Sequence, residues 1–366
     1  MTLTQTAYYT RLTIKSLLFF VIFLIVGKLA LNIGNAVYLQ LFPPPPAPPT
    51  VSFGRLPTLY FPEKIGLPTF SYTLQTATSE LPIFPTTTNV YFIPPRTASF
   101  LSLDEASKIA QYLGFSQKGE ELTDTIYRFS KTESSATLDV NIINKTFSIS
   151  FNLTKTPELL TLHPSSTNDA QSAVLAFLKQ SNLLTLDLEN GEKTFEFLKT
   201  DPPDLSTVSS LSEANFIRVN LFRQQYDDLP VLTANRKRGN VWFLVTGDRS
   251  SYKQIIAGEY HYFAIDSASK STYPIKTAQQ AWEDLNAGRA FIAQYPEKGN
   301  KITVRKIYLA YYDSKQPQGF MQPIVVFEGD GGFSAYVPAV TGDYYGSALP
   351  SPSPETTSSA APSEKK

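Results

Sequence analysis

The amino-acid sequence predicts an α+β fold: a single N-terminal transmembrane helix, then antiparallel sheets that are each packed by a single amphipathic helix. Three observations lead to this prediction. An apolar run stands close to the N-terminus, the composition is rich in Tyr, Phe, Ser and Thr, and three amphipathic helical patterns are each followed by several strand-like segments. Single helices that alternate with several antiparallel strands are typical of α+β proteins.

The composition sets the size of the core and excludes several kinds of site. The 366 residues are 42% hydrophobic and 13% aromatic, which is enough for two domains or one large one. The formal net charge is zero, so the sequence lacks the basic balance typical of nucleic-acid binding, and we expect no nucleic-acid partner. Cysteine is absent, which excludes disulfides, thiolate metal sites and cysteine nucleophiles.

The apolar run of twelve residues at Ser16–Gly27 predicts a membrane segment. On its own it is too short to cross a bilayer, because a spanning helix needs about 20 residues. One interpretation is a signal peptide that is cleaved after Ala36. In the other, which we favour, the helix continues uncut to about Phe42, which gives a transmembrane helix over residues 16–42.

The charges before the apolar run predict its orientation. Residues 1–15 contain Arg11 and Lys15 and no acidic residue, so we expect them to form a cytoplasmic stub. The sequence therefore predicts a single-pass protein of the cell membrane, with its bulk outside the cytoplasm.

Polar and small residues in the second half of the helix predict a contact within the membrane. Lys28, Asn32 and Asn35 are spaced to share one helical face, and Ala30 with Gly34 forms a small-xxx-small pair that permits close helix approach. These five residues are predicted to contact a membrane partner. The alternative for Lys28 is a side chain that snorkels to the membrane surface from a tilted helix.

Proline content divides the rest of the chain. The run PPPPAPP at Pro43–Pro49 ends the helix and favours extended polyproline geometry, so residues 43–57 are predicted to be a stiff, proline-rich stalk. A first α+β module is predicted over residues 58–155 and a second α+β region over 156–344. Residues 345–366 lack apolar periodicity and are predicted to be disordered.

Capping boxes predict where three helices begin. They stand at Ser102–Glu105, Asn168–Gln171 and Thr277–Gln280, and each precedes a stripe of apolar residues at helical spacing. Gly114 and Gly288 stand where the first and third of these helices are predicted to end.

Alternating apolar residues and turn residues predict the strands between the helices. Residues 138–153 read as a hairpin with one wet face and a turn at Asn144-Lys145. Further tight turns are predicted at Asp227-Asp228 and at Asp330-Gly331.

Three stretches carry a resemblance to a known family: FRQQYDDLPVL (222–232), YHYFAIDSASKSTYPIKTAQQAWEDLNAG (260–288), and the strands of residues 304–340. On these, the C-terminal two-thirds of the chain resembles extracytoplasmic regulators of the YycH/YycI type and the wider PepSY-like domains. The resemblance implies PepSY-like modules behind a single N-terminal crossing. It implies a non-catalytic domain that binds a partner, typically a sensor kinase or a protease, and no catalytic residue is carried over.

The search for chemistry centres on two histidines. Glu259 and His261 are predicted to project from one strand face, where such a pair can do acid–base work, and a half-exposed structural pair is the alternative we favour. His163 precedes a proline and suggests no role. With two histidines and no cysteine, we predict no catalytic residues, no metal site and no cofactor.

A short basic run, NRKRGN, places Arg236, Lys237 and Arg238 between two predicted strands. These three cations are predicted to contact a polyanionic surface, either anionic lipid headgroups or a wall polymer. A solvated loop is the alternative.

Together these patterns predict a single-pass, membrane-anchored extracytoplasmic protein that binds and regulates an envelope protein or peptide without catalysis. The first alternative is an envelope-assembly or cell-wall-binding structural protein. The second is a hydrolase whose site the sequence does not reveal.

Overall fold

The computed structural model describes residues 3–41, 48–64, 68–116, 118–131, 135–155, 157–201, 204–248 and 254–346. The chain divides into two compact units, Met1–Pro48 and Pro49–Lys366. Most of the predicted proline run and the predicted tail from residue 347 lie outside the described residues.

In the first unit, one long helix, α1, runs from Leu3 to Leu41. Its segment Arg11–Asn35 is 25 residues of apolar, unburied helix and is long enough to cross a membrane. At 1.5 Å per residue this segment spans about 38 Å, which exceeds the roughly 30 Å of bilayer hydrocarbon. A membrane anchor and a signal sequence both fit this segment. The helix begins well inside the predicted cytoplasmic stub.

The second unit combines short helices with many strands, which confirms the predicted α+β class. The described helices are α2 Ser102–Tyr112, α3 Thr167–Gln180, α4 Leu186–Asn190 and α5 Ala278–Asn286. The described strands are β1 Ser71–Leu74, β2 Thr87–Phe92, β3 Glu120–Thr123, β4 Ile126–Ser130, β5 Ala136–Asn141, β6 Phe147–Phe151, β7 Lys193–Asp201, β8 Asp204–Val208, β9 Phe216–Leu221, β10 Val231–Thr233, β11 Val241–Val245, β12 Ile255–Tyr260, β13 Asp266–Pro274, β14 Phe291–Gln294, β15 Lys301–Asp313, β16 Phe320–Met321, β17 Pro323–Gly329 and β18 Ser334–Pro338.

These strands form three sheets. The largest has nine strands in the order β3-β4-β5-β6-β12-β11-β9-β7-β8, and every pair in it is antiparallel. A six-stranded sheet has the order β1-β15-β17-β18-β14, with β10 also pairing with β15, and a three-stranded sheet has the order β13-β2-β16. The strands β1 and β10 run parallel to β15, so the six-stranded sheet is mixed.

Amphipathic helices cover the inner faces of the two larger sheets, because their apolar stripes can be buried only against another element. The buried face of α2, including Ala106, and that of α3, including Val174, pack into one core with Val219 and Phe243 of the nine-stranded sheet. The helix α5 packs Leu285 into the separate core of the six-stranded sheet.

The nine-stranded sheet continues across the predicted boundary between residues 155 and 156. Strand β6 pairs with β12, with Ile149 opposite Gly258 and Phe147 opposite Tyr260. The rings of Phe147 and Tyr260 stack at a centroid distance of 5.1 Å. Strands from the two predicted modules therefore share one sheet and one core.

The helix caps agree only partly with the predicted capping boxes. The box at Thr277 is confirmed, because its side chain accepts from Gln280 N and the Gln280 side chain accepts from Thr277 N. The predicted box at Ser102 is wrong: Leu101 is the cap, and Ser102 Oγ accepts from Ser99 N at 2.9 Å.

The start predicted at Asn168 is also displaced. Ser166 caps α3 and accepts from Asp169 N at 3.0 Å, because its extended backbone is the geometry that an N-cap requires. The predicted C-terminal glycines are confirmed, since Gly114 and Gly288 have φ values of +80° and +73°, which favour glycine.

The predicted turns are confirmed by backbone geometry. Lys145, between β5 and β6, has a φ of 54°, and Asp227 and Asp228 have φ values of 50° and 59°. Gly331 has a φ of 65° in the turn between β17 and β18. Aspartate and glycine are the residue types that tolerate this left-handed region in tight turns.

Candidate ligand-binding cleft

A cleft of about 420 Å³ lies where the nine-stranded and six-stranded sheets meet. The nine-stranded sheet contributes Thr194 of β7. The strands β14, β17 and β18 of the six-stranded sheet contribute Gln294, Glu328 and Ser334. The basic loop after β10 adds two cations, Arg236 and Lys237, and Glu192, just before β7, adds a further carboxylate.

Close backbone approaches and a bulge shape this cleft. A Cβ at Gly191, just before β7, would lie 1.8 Å from the Phe222 carbonyl oxygen, so only glycine permits this packing. On β14 the pairing moves from Ile292–Ala335 directly to Gln294–Ser334, which leaves an extra residue on β14. Such bulges re-aim side chains, and this one lies beside the cleft.

Arg236 and Glu328 form an ion pair in the wall of the cleft. Arg236 Nη2 is 2.5 Å from Glu328 Oε1 and 3.1 Å from the Tyr308 hydroxyl, which itself donates to Glu328 Oε1 at 2.6 Å. Burial lowers the pKa of Arg236, but the neighbouring Tyr308, Tyr336 and Glu328 outweigh it and the pKa is raised. Burial and Glu328 raise the pKa of Tyr308. The wall therefore carries a fixed guanidinium, a carboxylate and a neutral phenol.

The three cations predicted to contact a polyanion have different surroundings. Arg236 is half-buried in the ion pair with Glu328. Arg238 lies over the ring of Trp242, with its Cζ 5.7 Å from the centroid. Lys237 is exposed and makes no ion pair with a described residue. The loop therefore contributes a paired cation to the cleft wall at Arg236 and an exposed cation, with no described ion-pair partner, at Lys237.

A buried hydroxyl group in the wall of the cleft, Thr194 Oγ1, has no hydrogen bond to any described residue. The second hydroxyl of the wall, Ser334 Oγ, is buried against the phenol of Tyr336, where it opposes the rise that burial causes in the pKa of Tyr336. The Tyr336 hydroxyl donates to Thr233 O at 3.1 Å. Buried polar groups are normally hydrogen-bonded, so Thr194 Oγ1 is an unsatisfied group beside the cleft.

Glu259 and His261 lie close together, as predicted, but the Glu259 carboxylate is bound by other residues. His261 Nε2 is 4.0 Å from Glu259 Oε2, whereas Lys315 Nζ is 2.5 Å and Trp242 Nε1 is 3.1 Å from the same oxygen. Burial lowers the pKa of His261 to about 4, and Lys315 adds to this effect. The pKa of Glu259 is lowered because Lys315 outweighs the effect of burial. His261 and Lys315 line a second cavity of about 410 Å³.

Sequence reasoning missed a buried ionic network around Arg223. Its Nη1 is 2.8 Å from Asp187 Oδ2, its Nε is 3.0 Å from Asp313 Oδ1, and its Nη2 donates to Phe263 O at 2.6 Å. The guanidinium also stacks on Tyr262, with Cζ 4.2 Å from the ring centroid. Arg223 lies in the FRQQYDDLPVL stretch, where an arginine between apolar strands is the available signal.

A second polar network forms at Asp227 in the same stretch. Its Oδ2 accepts from Tyr91 at 2.7 Å, from Tyr311 at 2.9 Å and from Asn89 at 3.0 Å. Burial raises the pKa of Asp227, but these three hydrogen bonds outweigh it and the pKa is lowered. The turn predicted at Asp227 thereby links the three-stranded sheet to β15.

In α1, the five residues predicted to contact a membrane partner lie on two faces. With 3.6 residues per turn, Lys28, Asn32 and Asn35 fall within about 60° of one another. Ala30 and Gly34 lie roughly 150° away around the same helix. One partner helix therefore cannot contact both the polar face and the small-residue face of α1.

No protein-family model and no curated protein matches this chain. Among solved structures, an uncharacterized protein from Eubacterium rectale ATCC 33656 is 12% identical, with a TM-score of 0.34 over 70% of this chain and 85% of its own. The C-terminal domain of YpeB from Bacillus megaterium is 11% identical, with a TM-score of 0.30 over 68% of this chain and 95% of its own. Both are low similarities in sequence and in structure.

Proposed function

We propose that this chain is a membrane-anchored binding protein, and that its second unit holds an envelope protein or peptide in the cleft between the two larger sheets without catalysis. The proposal places α1 in the cell membrane, uncut, with the N-terminus in the cytoplasm. It assigns the second unit a regulatory role of the kind that its sequence resemblance to PepSY-like and YycH/YycI-type domains implies.

The observation that carries this proposal is the composition of the cleft wall. It combines a fixed ion pair, an exposed lysine at Lys237 and a buried hydroxyl at Thr194 that has no described partner. Its volume lies at the lower end of the roughly 300–1,000 Å³ of small-ligand sites, which suits a few residues of a peptide.

The state of the Glu259–His261 pair supports binding over hydrolysis. A general acid or base must have a proton to give or a free site to accept one. The Glu259 carboxylate is instead held by Lys315 and Trp242. The wall-polymer alternative is not favoured either, because Glu192 and Glu328 line the cleft beside its cations and would repel a polyanion.

Site-specific photocrosslinking in membranes tests the proposed function. A benzoylphenylalanine at position 237, in the cleft, should crosslink a discrete envelope partner. The same residue at Tyr112, which is exposed on α2 and does not line the cleft, is the matched control. Equal crosslinking from both positions, or none from position 237, would contradict binding of a partner in the cleft.

A further inference from the structure

We propose that the cleft recognises a carboxylate group of its ligand, an inference that rests on the proposed binding function. The carboxylate belongs either to a peptide C-terminus or to an acidic side chain. It is bound between Arg236 and Lys237, with the hydroxyl of Thr194 as a further donor.

Unused donors around the cleft point to an anionic oxygen ligand. Arg236 uses Nη2 for Glu328 and Tyr308, while its Nε and Nη1 make no hydrogen bond to a described residue. The Lys237 ammonium likewise has no described partner. Nε and Nη1 do not share an edge of the guanidinium, so Arg236 can give a carboxylate one N–H beside the Lys237 ammonium, and such charge-assisted hydrogen bonds are short and strong.

The buried hydroxyl of Thr194 gives independent support. Thr194 Oγ1 is shielded within the chain and has no partner among the described residues. A buried donor without an acceptor is costly, so a ligand that accepts a hydrogen bond from Thr194 would remove that cost.

The charge of the wall selects a carboxylate over a polyanion. Glu328 and Glu192 also line the cleft and face the same ligand. Arg236 and Lys237 are balanced by Glu328 and Glu192, so the wall has no net positive charge to attract a multiply charged phosphate polymer, whereas one carboxylate needs only the free donors of Arg236 and Lys237.

The experiment measures fluorescence anisotropy of labelled peptide libraries with the full-length protein in detergent. Three randomised tetrapeptide libraries are used: one with a free C-terminal carboxylate, one amidated and without acidic residues, and one amidated with a fixed glutamate. We expect the first or the third library to bind at least about tenfold tighter than the second, which identifies the source of the carboxylate. Equal affinity of all three, or binding by none, overturns the proposal.

Variants then locate the bound group. Thr194→Val is nearly isosteric and should lower affinity by about five- to tenfold while leaving thermal stability unchanged or higher, because it removes an unpaired hydroxyl. Lys237→Gln changes an exposed residue and should lower affinity by about tenfold or more. The matched control is Arg305→Gln, since Arg305 pairs with Asp330 outside the cleft.

These outcomes separate the inference from the proposed function. If both cleft variants bind the preferred library as tightly as the control, carboxylate recognition at this site is wrong. If position 237 still crosslinks a partner although the carboxylate libraries fail to bind, the cleft binds that partner through other interactions. In that case only the inference about the carboxylate is wrong.

Discussion

At the residue scale, the most consequential side chain is Arg223, a buried cation that joins the two larger sheets. It follows β9 of the nine-stranded sheet and pairs with Asp313 at the end of β15. Burial raises the pKa of Asp313, and Arg223 offsets part of this effect. Asn240 Nδ2 donates to Asp313 Oδ2 at 3.2 Å, so two residues that flank strands of the nine-stranded sheet hold this carboxylate of the six-stranded sheet.

Replacing Arg223 should therefore destabilise the protein strongly. Arg223→Met leaves two carboxylates, Asp187 and Asp313, buried without their cation, and removing one partner of a buried pair costs about 3–5 kcal/mol. Chemical denaturation of the wild type and the variant measures this loss. Arg305→Met, which breaks an exposed pair with Asp330, should leave the free energy of unfolding close to that of the wild type, because exposed ion pairs contribute little. Similar losses for both variants would contradict this account.

His261 should make stability fall as the solution becomes acidic. Its pKa is lowered from 6.5 to about 4 in the folded chain, chiefly by burial and then by Lys315. Between these two values the unfolded chain binds a proton that the folded chain does not, so stability decreases as pH falls from about 6.5 to about 4 and loses no more from this group below that. The loss is at most about 3.4 kcal/mol.

Denaturation curves at several pH values check this expectation. In His261→Gln the fall between about pH 6.5 and pH 4 should be smaller than in the wild type. His163, whose Nδ1 is 2.7 Å from Ala214 O, provides the control variant His163→Gln. An identical pH dependence in wild type and His261→Gln would show that His261 is not the group responsible.

At the element scale, α1 determines whether the protein is tethered or released. Its apolar segment Arg11–Asn35 is long enough to span, so we expect it to stay uncut. Mass spectrometry of the mature protein should then find the intact N-terminal segment, and alkaline extraction should leave the protein in the membrane pellet. A mature N-terminus at Val37, directly after Ala36, together with a soluble product, would establish the signal-peptide alternative instead.

Elements were predictable from sequence where local chemistry decides them. The helix α5 shows this best, since Thr277 and Gln280 cap it and Gly288 follows its end. Strand pairing was not predictable in the same way. The alternation of apolar and polar residues in β6 shows which face of the strand is buried. No feature of the local sequence identifies β12, more than a hundred residues later, as its neighbour.

The site was predictable only in part for the same reason. The basic run identified Arg236 and Lys237 because both lie in one loop. Their partner Glu328 and the hydroxyls of Thr194 and Ser334 come from three other strands, and each is an ordinary residue in its local sequence. A cleft between two sheets exists only once the sheets are assembled.

At the scale of the whole molecule, the shared sheet should make the second unit fold as one body. We expect residues 49–346 to fold without α1, whereas the predicted first module, 58–155, should not fold alone. Isolated, that module leaves β6 without β12 and exposes the apolar surface that Val219 and Phe243 cover. Exposed strand edges and uncovered apolar faces favour aggregation over a stable fold.

Amide dispersion in NMR spectra and the cooperativity of thermal unfolding decide between one body and two. The fragment 49–346 should give dispersed amide signals and a single transition in which both sheets unfold together, because Arg223 and the β6–β12 pairing connect its parts. Fragment 58–155 should give collapsed signals and no cooperative transition. A dispersed spectrum from 58–155 would mean that its strands are self-sufficient and that the nine-stranded sheet joins two independent modules. In that case the cleft would belong to the second module alone, because the residues that line it all lie between 192 and 334.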